Sequence, residues 1–112
     1  MAESVALAVL ENLVHLSRQD FPSGYVCVEA VLPAGITITT EDELRGRPGL
    51  AGLSSKALGD WWIESNKSAV LTVVSAVVPH ERNYLINPAH PEFAQIRTEP
   101  PALFHFDPRL FS

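Results

Sequence analysis

Ala69 to Pro91, AVLTVVSAVVPHERNYLINPAHP, constrains the fold of this chain more than any other stretch, because it opens on a β-branched apolar run. Ala69 to Val74 is apolar at every position except Thr72, and a strand that is apolar on both of its alternating faces has to be covered on both sides. This predicts a central strand and not an edge. Ser75 interrupts the run where it would leave the core, and Val77, Val78 and Pro79 carry the chain into a bend, so a hydroxyl is delivered to a strand end. Arg82 to Asn87 then restarts an extended pattern, with Tyr84 and Ile86 on one face and Asn83, Leu85 and Asn87 on the other. Pro88 and Pro91 stop it.

Upstream, Ser4 to Leu16 reads as a helix with Ser4 as its N-cap. At 100° per residue Val5, Ala6, Leu7, Val9, Leu10, Leu13, Val14 and Leu16 cover a wide apolar arc, which predicts that most of this helix is buried. Ser4, Ala8, Glu11 and His15 share the remaining stripe, which by residue type alone is a solvated face. After a turn at Asp20 to Gly24, Tyr25 to Leu32 alternates as a strand that Pro33 and Gly35 end. Ile36 to Thr40 predicts a short edge strand. The following EDELRGRPGLAGLSS is polar and glycine-containing, and predicts a mobile surface loop. It lacks the GK[ST] ending of a phosphate loop. Ser54 or Ser55 caps a second helix, in which Leu58, Trp61 and Trp62 fall at i, i+3 and i+4, the spacing of a core face more than of a base-stacking platform. Glu92 to Thr98 brings the chain back through a helical turn, and Leu103 to Phe106 forms a final strand.

A chain of 112 residues with 46% apolar content is a single domain, able to bury roughly two thirds of its unfolded surface. Its net charge of −5 and scattered basic residues oppose sequence-independent nucleic-acid binding, which needs clustered Lys and Arg against phosphates. The lone Cys27 forms no internal disulfide and fits a reducing compartment, as a small buried hydrophobe sooner than a nucleophile. The N-terminal apolar run is broken by Glu11, Asn12 and His15, so neither a secretion signal nor a membrane span fits. The histidines lack paired ligand spacing, so no metal site is expected, and no Gly-x-Ser-x-Gly elbow surrounds Ser75.

The order of a strand, VVSAVVP, RNYLINPAHPEF and a closing FHFDPRLF resembles the C-terminal part of RES-domain proteins, toxins of bacterial toxin–antitoxin pairs. That family is named for an arginine, a glutamate and a serine. Ser75 in VVSAVVP matches the serine, and Glu11 in ALAVLENLVHL matches the glutamate. The arginine belongs to a segment N-terminal to the helix, so the resemblance predicts an N-terminally truncated RES domain over residues 1–112, with weak NAD consumption for want of that arginine. It implies an α+β fold, with an ADP-ribosyltransferase-like mixed or antiparallel sheet core and flanking helices. It further implies a cytoplasmic toxin of a type II system whose substrate is NAD, cleaved at the nicotinamide–ribose bond with phosphate, water or a protein side chain as acceptor. By the same resemblance Glu11 is catalytic and Ser75 binds the dinucleotide. Asn87 in LINPAHP is a further contact, or else bonds the backbone before Pro88. The implied partner is an Xre-family helix-turn-helix antitoxin, without direct nucleic-acid binding or membrane attachment. The other reading is a non-enzymatic remnant, or interaction module, that retains only the antitoxin-facing surface.

Overall fold

The computed structural model describes residues 1–13 and 26–103. Their order is α1 (Val5–Leu13), β1 (Val26–Cys27), β2 (Ala30–Val31), β3 (Ile38–Thr40), α2 (Glu41–Arg45), α3 (Ser55–Ser65), β4 (Val70–Val74), β5 (Arg82–Ile86), a 3-10 turn (Pro91–Gln95), β6 (Arg97–Thr98) and β7 (Ala102–Leu103). The fold is mixed α+β.

β4 is central, as its composition requires. It pairs in parallel with β3, through Ile38↔Val70 to Thr40↔Thr72, and antiparallel with β5, through Val70↔Ile86 to Val74↔Arg82. Residues 1–3 extend the sheet along the far side of β5: the Met1 amine donates to the Tyr84 carbonyl at 2.8 Å, and the Glu3 amide to that of Arg82 at 3.1 Å. Successive side chains on β4 enter different cores. Leu71 joins Leu44, Leu50, Leu58 and Trp62 on one face, while Val70 joins Ala69 and Ile36 on the other. Covering both faces of one strand is what its unbroken apolar run demands.

Residues 41–54 correct the expectation of a mobile surface loop. Thr40 caps α2, its hydroxyl accepting from the Glu43 amide at 3.2 Å, and three acidic residues occupy the first turn, where the helix dipole favours them. Leu44 and Leu50 are buried in the core cluster, so the stretch is anchored by apolar contacts that its polar and glycine content obscures. Arg45 adds bonds to the carbonyls of Ala51 and Leu53 and a 2.8 Å ion pair with Glu41. α3 begins as read, on Ser54, whose hydroxyl accepts from the Ala57 amide, and it buries Leu58 and Trp62. Trp61 is half-buried beneath the Arg47 guanidinium, 5.2 Å from the ring centroid.

Glu41 also accepts from the Val74 amide at 3.1 Å, closing the end of β4 on the side of β3. The hydrogen bond from Arg45 is the chief cause that holds the Glu41 carboxyl below its ordinary value of 4.5; partial burial opposes it and the Val74 amide assists. A carboxyl depressed on folding stabilises the native state above its unfolded value, and that contribution is lost as the pH falls through the folded value. Glu41→Gln is therefore expected to be less stable than the parent at pH 7, with the difference closing below pH 4.5. Urea denaturation across that range is the check.

The strand expected over Tyr25 to Leu32 is two short pieces. β1 pairs with β7 (Val26↔Leu103, Cys27↔Ala102) and β2 with β6 (Ala30↔Thr98, Val31↔Arg97), so two residues, 28 and 29, face three, 99 to 101. That is one extra residue on the second strand, a bulge, and it falls at Pro100-Pro101, which have no amide hydrogen for the ladder. The Glu99 amide still reaches the Glu29 carbonyl at 2.8 Å. Of the final strand expected over Leu103 to Phe106, only Leu103 lies within the described residues.

Candidate functional site

The parallel pair β3 and β4 ends on one side of the sheet, and β4 stops there in a built turn. The Ser75 amide donates to the Glu81 carbonyl at 3.0 Å, and the Glu81 amide to the Val78 carbonyl at 2.9 Å. Inside this turn the Ser75 hydroxyl oxygen accepts from the amides of Val77 at 3.1 Å and Val78 at 3.0 Å. With both lone pairs engaged, its single proton goes to Glu11 Oε1 at 2.6 Å. Ser75 is 1% exposed, and its hydroxyl is engaged as donor and as double acceptor within the protein.

Glu11 reaches this turn from α1, 64 positions earlier in the chain. Asn83 Nδ2, on β5, donates to the same Oε1 at 2.9 Å. At the start of α1 the Ser4 hydroxyl accepts from the Leu7 amide at 3.0 Å, the expected cap, and donates to Glu81 Oε1 at 2.8 Å. Glu3 adds a short contact to the Arg82 amide. The helix is thus fastened to the β4–β5 hairpin along Ser4 and Glu11. This corrects the expectation of a solvated polar stripe opposite a buried apolar arc: Leu7 is buried, but Val5 is 54% and Leu10 42% exposed. The physical reason is that the hairpin presents a hydroxyl, an amide and a carboxylate, so α1 docks by polar complementarity. His15, on the same stripe by spacing, lies outside the described residues.

Asn87 is placed apart from Glu11 and Ser75. Its amide bonds the Ala69 carbonyl at 2.8 Å, at the opposite end of β4, roughly 20 Å away at the rise of an extended strand. Asn87 is 2% exposed; its Oδ1 accepts from the Ala89 amide at 3.0 Å and its Nδ2 donates to Asn66 Oδ1 at 3.0 Å. Asn66 is the left-handed cap of α3, so Asn87 joins the end of that helix to the turn before Pro91. Of these, the bond from the Ala89 amide is backbone bonding of the kind its position before Pro88 suggests.

Tyr84 and Ile86 alternate away from Asn83 and line a cavity of about 230 Å³ with Ala2, Glu3, Ala30 and Leu32. The cavity lies across the sheet from the Glu11 carboxylate and contains none of the three expected site residues. Thr72, paired with Tyr84, has a buried hydroxyl without a hydrogen-bond partner. Among the described residues no group of three His, Cys, Asp or Glu side chains is placed to hold a metal ion, and no helix is long and apolar enough to cross a membrane.

Sequence reasoning brought Glu11 and Ser75 forward and passed over Asn83. The available signal was its type: asparagine is depleted in strands, and it stands here beside Tyr84, Leu85 and Ile86, which suit one. Chemically, the site is a half-buried carboxylate that accepts from the Ser75 hydroxyl and the Asn83 amide, and a carboxylate can face developing positive charge.

Residues 1–107 match the RES domain family. The chain is 36% identical to a protein of Sphingobium sp. (strain YBL2) described as "Prs ADP-ribosylating toxin", over 97% of this chain and 71% of that one. It is 32% identical to a "Toxin Res" of Yersinia enterocolitica, over 98% of this chain and 75% of the relative, and 34% identical to a "Toxin Res" of Pseudomonas putida, over 93% and 72%.

Proposed function

Because the chain belongs to the RES domain family, we propose that it is the toxin of a bacterial type II toxin–antitoxin pair and that it depletes NAD by breaking the nicotinamide–ribose bond. The observation that carries this reading is the convergence of Ser75, from the turn after β4, and Asn83, from β5, on one carboxylate oxygen of Glu11, from α1. A carboxylate held this way suits a substrate that becomes cationic at carbon. As the C1′–N bond of NAD breaks, its electron pair passes to the pyridinium nitrogen, nicotinamide leaves neutral, and positive charge moves onto the ribose. Glu11 would stabilise that oxocarbenium-like ribose or orient one of its hydroxyls. An acceptor oxygen then forms the new bond to C1′ and gives up its proton. The description of the Sphingobium relative as ADP-ribosylating supports a reaction of this class.

The same reading takes the mixed sheet and its helices as an ADP-ribosyltransferase-like core, assigns Ser75 to the site through Glu11, and places the reaction in the cytoplasm, where NAD is consumed. Its partner is an Xre-like helix-turn-helix antitoxin. Incubating the purified chain with NAD is expected to release nicotinamide in proportion to protein and time. Release no faster than buffer overturns the enzymatic reading; co-purification of a neighbouring helix-turn-helix protein with an inactive chain would favour an interaction module.

A further inference from the structure

Asn83 runs against the preference of its own strand, and a local inconsistency of this kind points to a demand set elsewhere in the fold. The demand is visible in its amide, which donates to Glu11 Oε1 at 2.9 Å while Ser75 donates to the same atom at 2.6 Å. A carboxylate only accepts, so the amide nitrogen faces it and the amide oxygen turns away. The terminal torsion of a glutamate is broad, and a single donor leaves the carboxylate plane poorly defined. Ser75, in the turn just past β4, and Asn83, on β5, approach the same oxygen from two places in the hairpin and together restrict its orientation.

We propose that Asn83 is a positioning residue for Glu11, acting through the carboxylate and making no contact with the dinucleotide; this rests on Glu11 being the catalytic carboxylate. Asn83→Leu removes the donor while keeping a branched side chain with the same number of heavy atoms. It is expected to lower kcat by about 10- to 100-fold, the order of loss that follows a small misplacement of a reacting group, with KM changed by less than about threefold. A substrate-contact role would raise KM instead, and a purely structural role would lower the melting temperature with kcat unchanged. Either outcome overturns the proposal. Whether Asn83 holds Glu11 is decided separately from activity by urea unfolding of Asn83→Leu, Glu11→Leu and the double variant. The two effects on the unfolding constant are expected to fall short of their product by about fivefold or more, as for residues in direct contact. Independent effects overturn the proposal. If the parent releases no nicotinamide, the assignment of function fails, and this cycle alone decides the contact.

Discussion

If Glu11 faces the reacting ribose as proposed, Glu11→Gln is expected to lower the rate of NAD loss by about 10²-fold or more, the usual consequence of removing one preorganised electrostatic contact to a charged transition state. Shape is retained: a glutamine amide oxygen can take the place of Oε1 and accept from Ser75 and Asn83 as before. Glutamine is also as good a helix former as glutamate, so α1 keeps its docking on the hairpin. Two hydrogen bonds lose their charge assistance, but a half-buried charge no longer has to be desolvated, and these terms oppose one another. The net change in stability is expected within about 1 kcal/mol, far below the change in rate. The measurement is nicotinamide release by parent and variant at equal folded concentration, beside growth of cells expressing each. A variant that consumes NAD at the parental rate and still arrests growth would remove Glu11 from the chemistry and leave its carboxylate as no more than the fastening of α1.

Some of this site was legible in the residues and some was not, and the difference follows the range of each signal. The central place of β4, the arrival of a hydroxyl at its end, and α3 with its Ser54 cap all rest on patterns within a dozen residues. The pairing of Glu11 with Asn83 spans 72 positions, and no local pattern carries it. Periodicity divides α1 into an apolar arc and a polar line, but it says nothing about what a neighbouring element offers, and Val5 and Leu10 of that arc are exposed. A hairpin rich in polar donors and acceptors drew the polar line inward. Residues 41–54 were misread for the opposite reason: glycine and charge dominate their composition, while two leucines, Leu44 and Leu50, decide their burial. The break between β1 and β2 originates in Pro100-Pro101 on the partner strand, some seventy positions away in sequence. For Asn87 the bond from the Ala89 amide is local, while the one to Asn66 spans 21 positions and no local pattern carries it.

The largest effect on stability is expected at Trp62. Its ring is 1% exposed among Leu44, Leu50, Leu58 and Leu71, and its Nε1 donates to Ser68 Oγ at 2.9 Å. Ser68 gives its own proton to the Val70 carbonyl at 2.8 Å, so in the 2.7 Å contact with Thr39 the threonine must be the donor. The Ser68 oxygen therefore accepts twice, and the network joins α3, β3 and β4 at the end of the sheet away from Glu11. Trp62→Ala opens a cavity in the core and removes one of those donors, a combination expected to cost about 3–5 kcal/mol. For a domain of this size that is a large share of the roughly 5–15 kcal/mol typical of native stability, and it lowers the melting temperature by about 10–25 °C. Trp62→Phe keeps most of the volume but leaves a Ser68 lone pair unmet, at roughly 1–3 kcal/mol. Trp61→Ala, next door but half-buried under Arg47, should cost less than either core loss, because its stacking is partly solvated. Urea and thermal unfolding of the three variants give the order. Equal losses for Trp61→Ala and Trp62→Ala would contradict the division of these tryptophans into a flank and a core. Because the network sits at the opposite end of β4, nicotinamide release per folded molecule should be the same in Trp62→Ala as in the parent, with the deficit confined to the folded fraction.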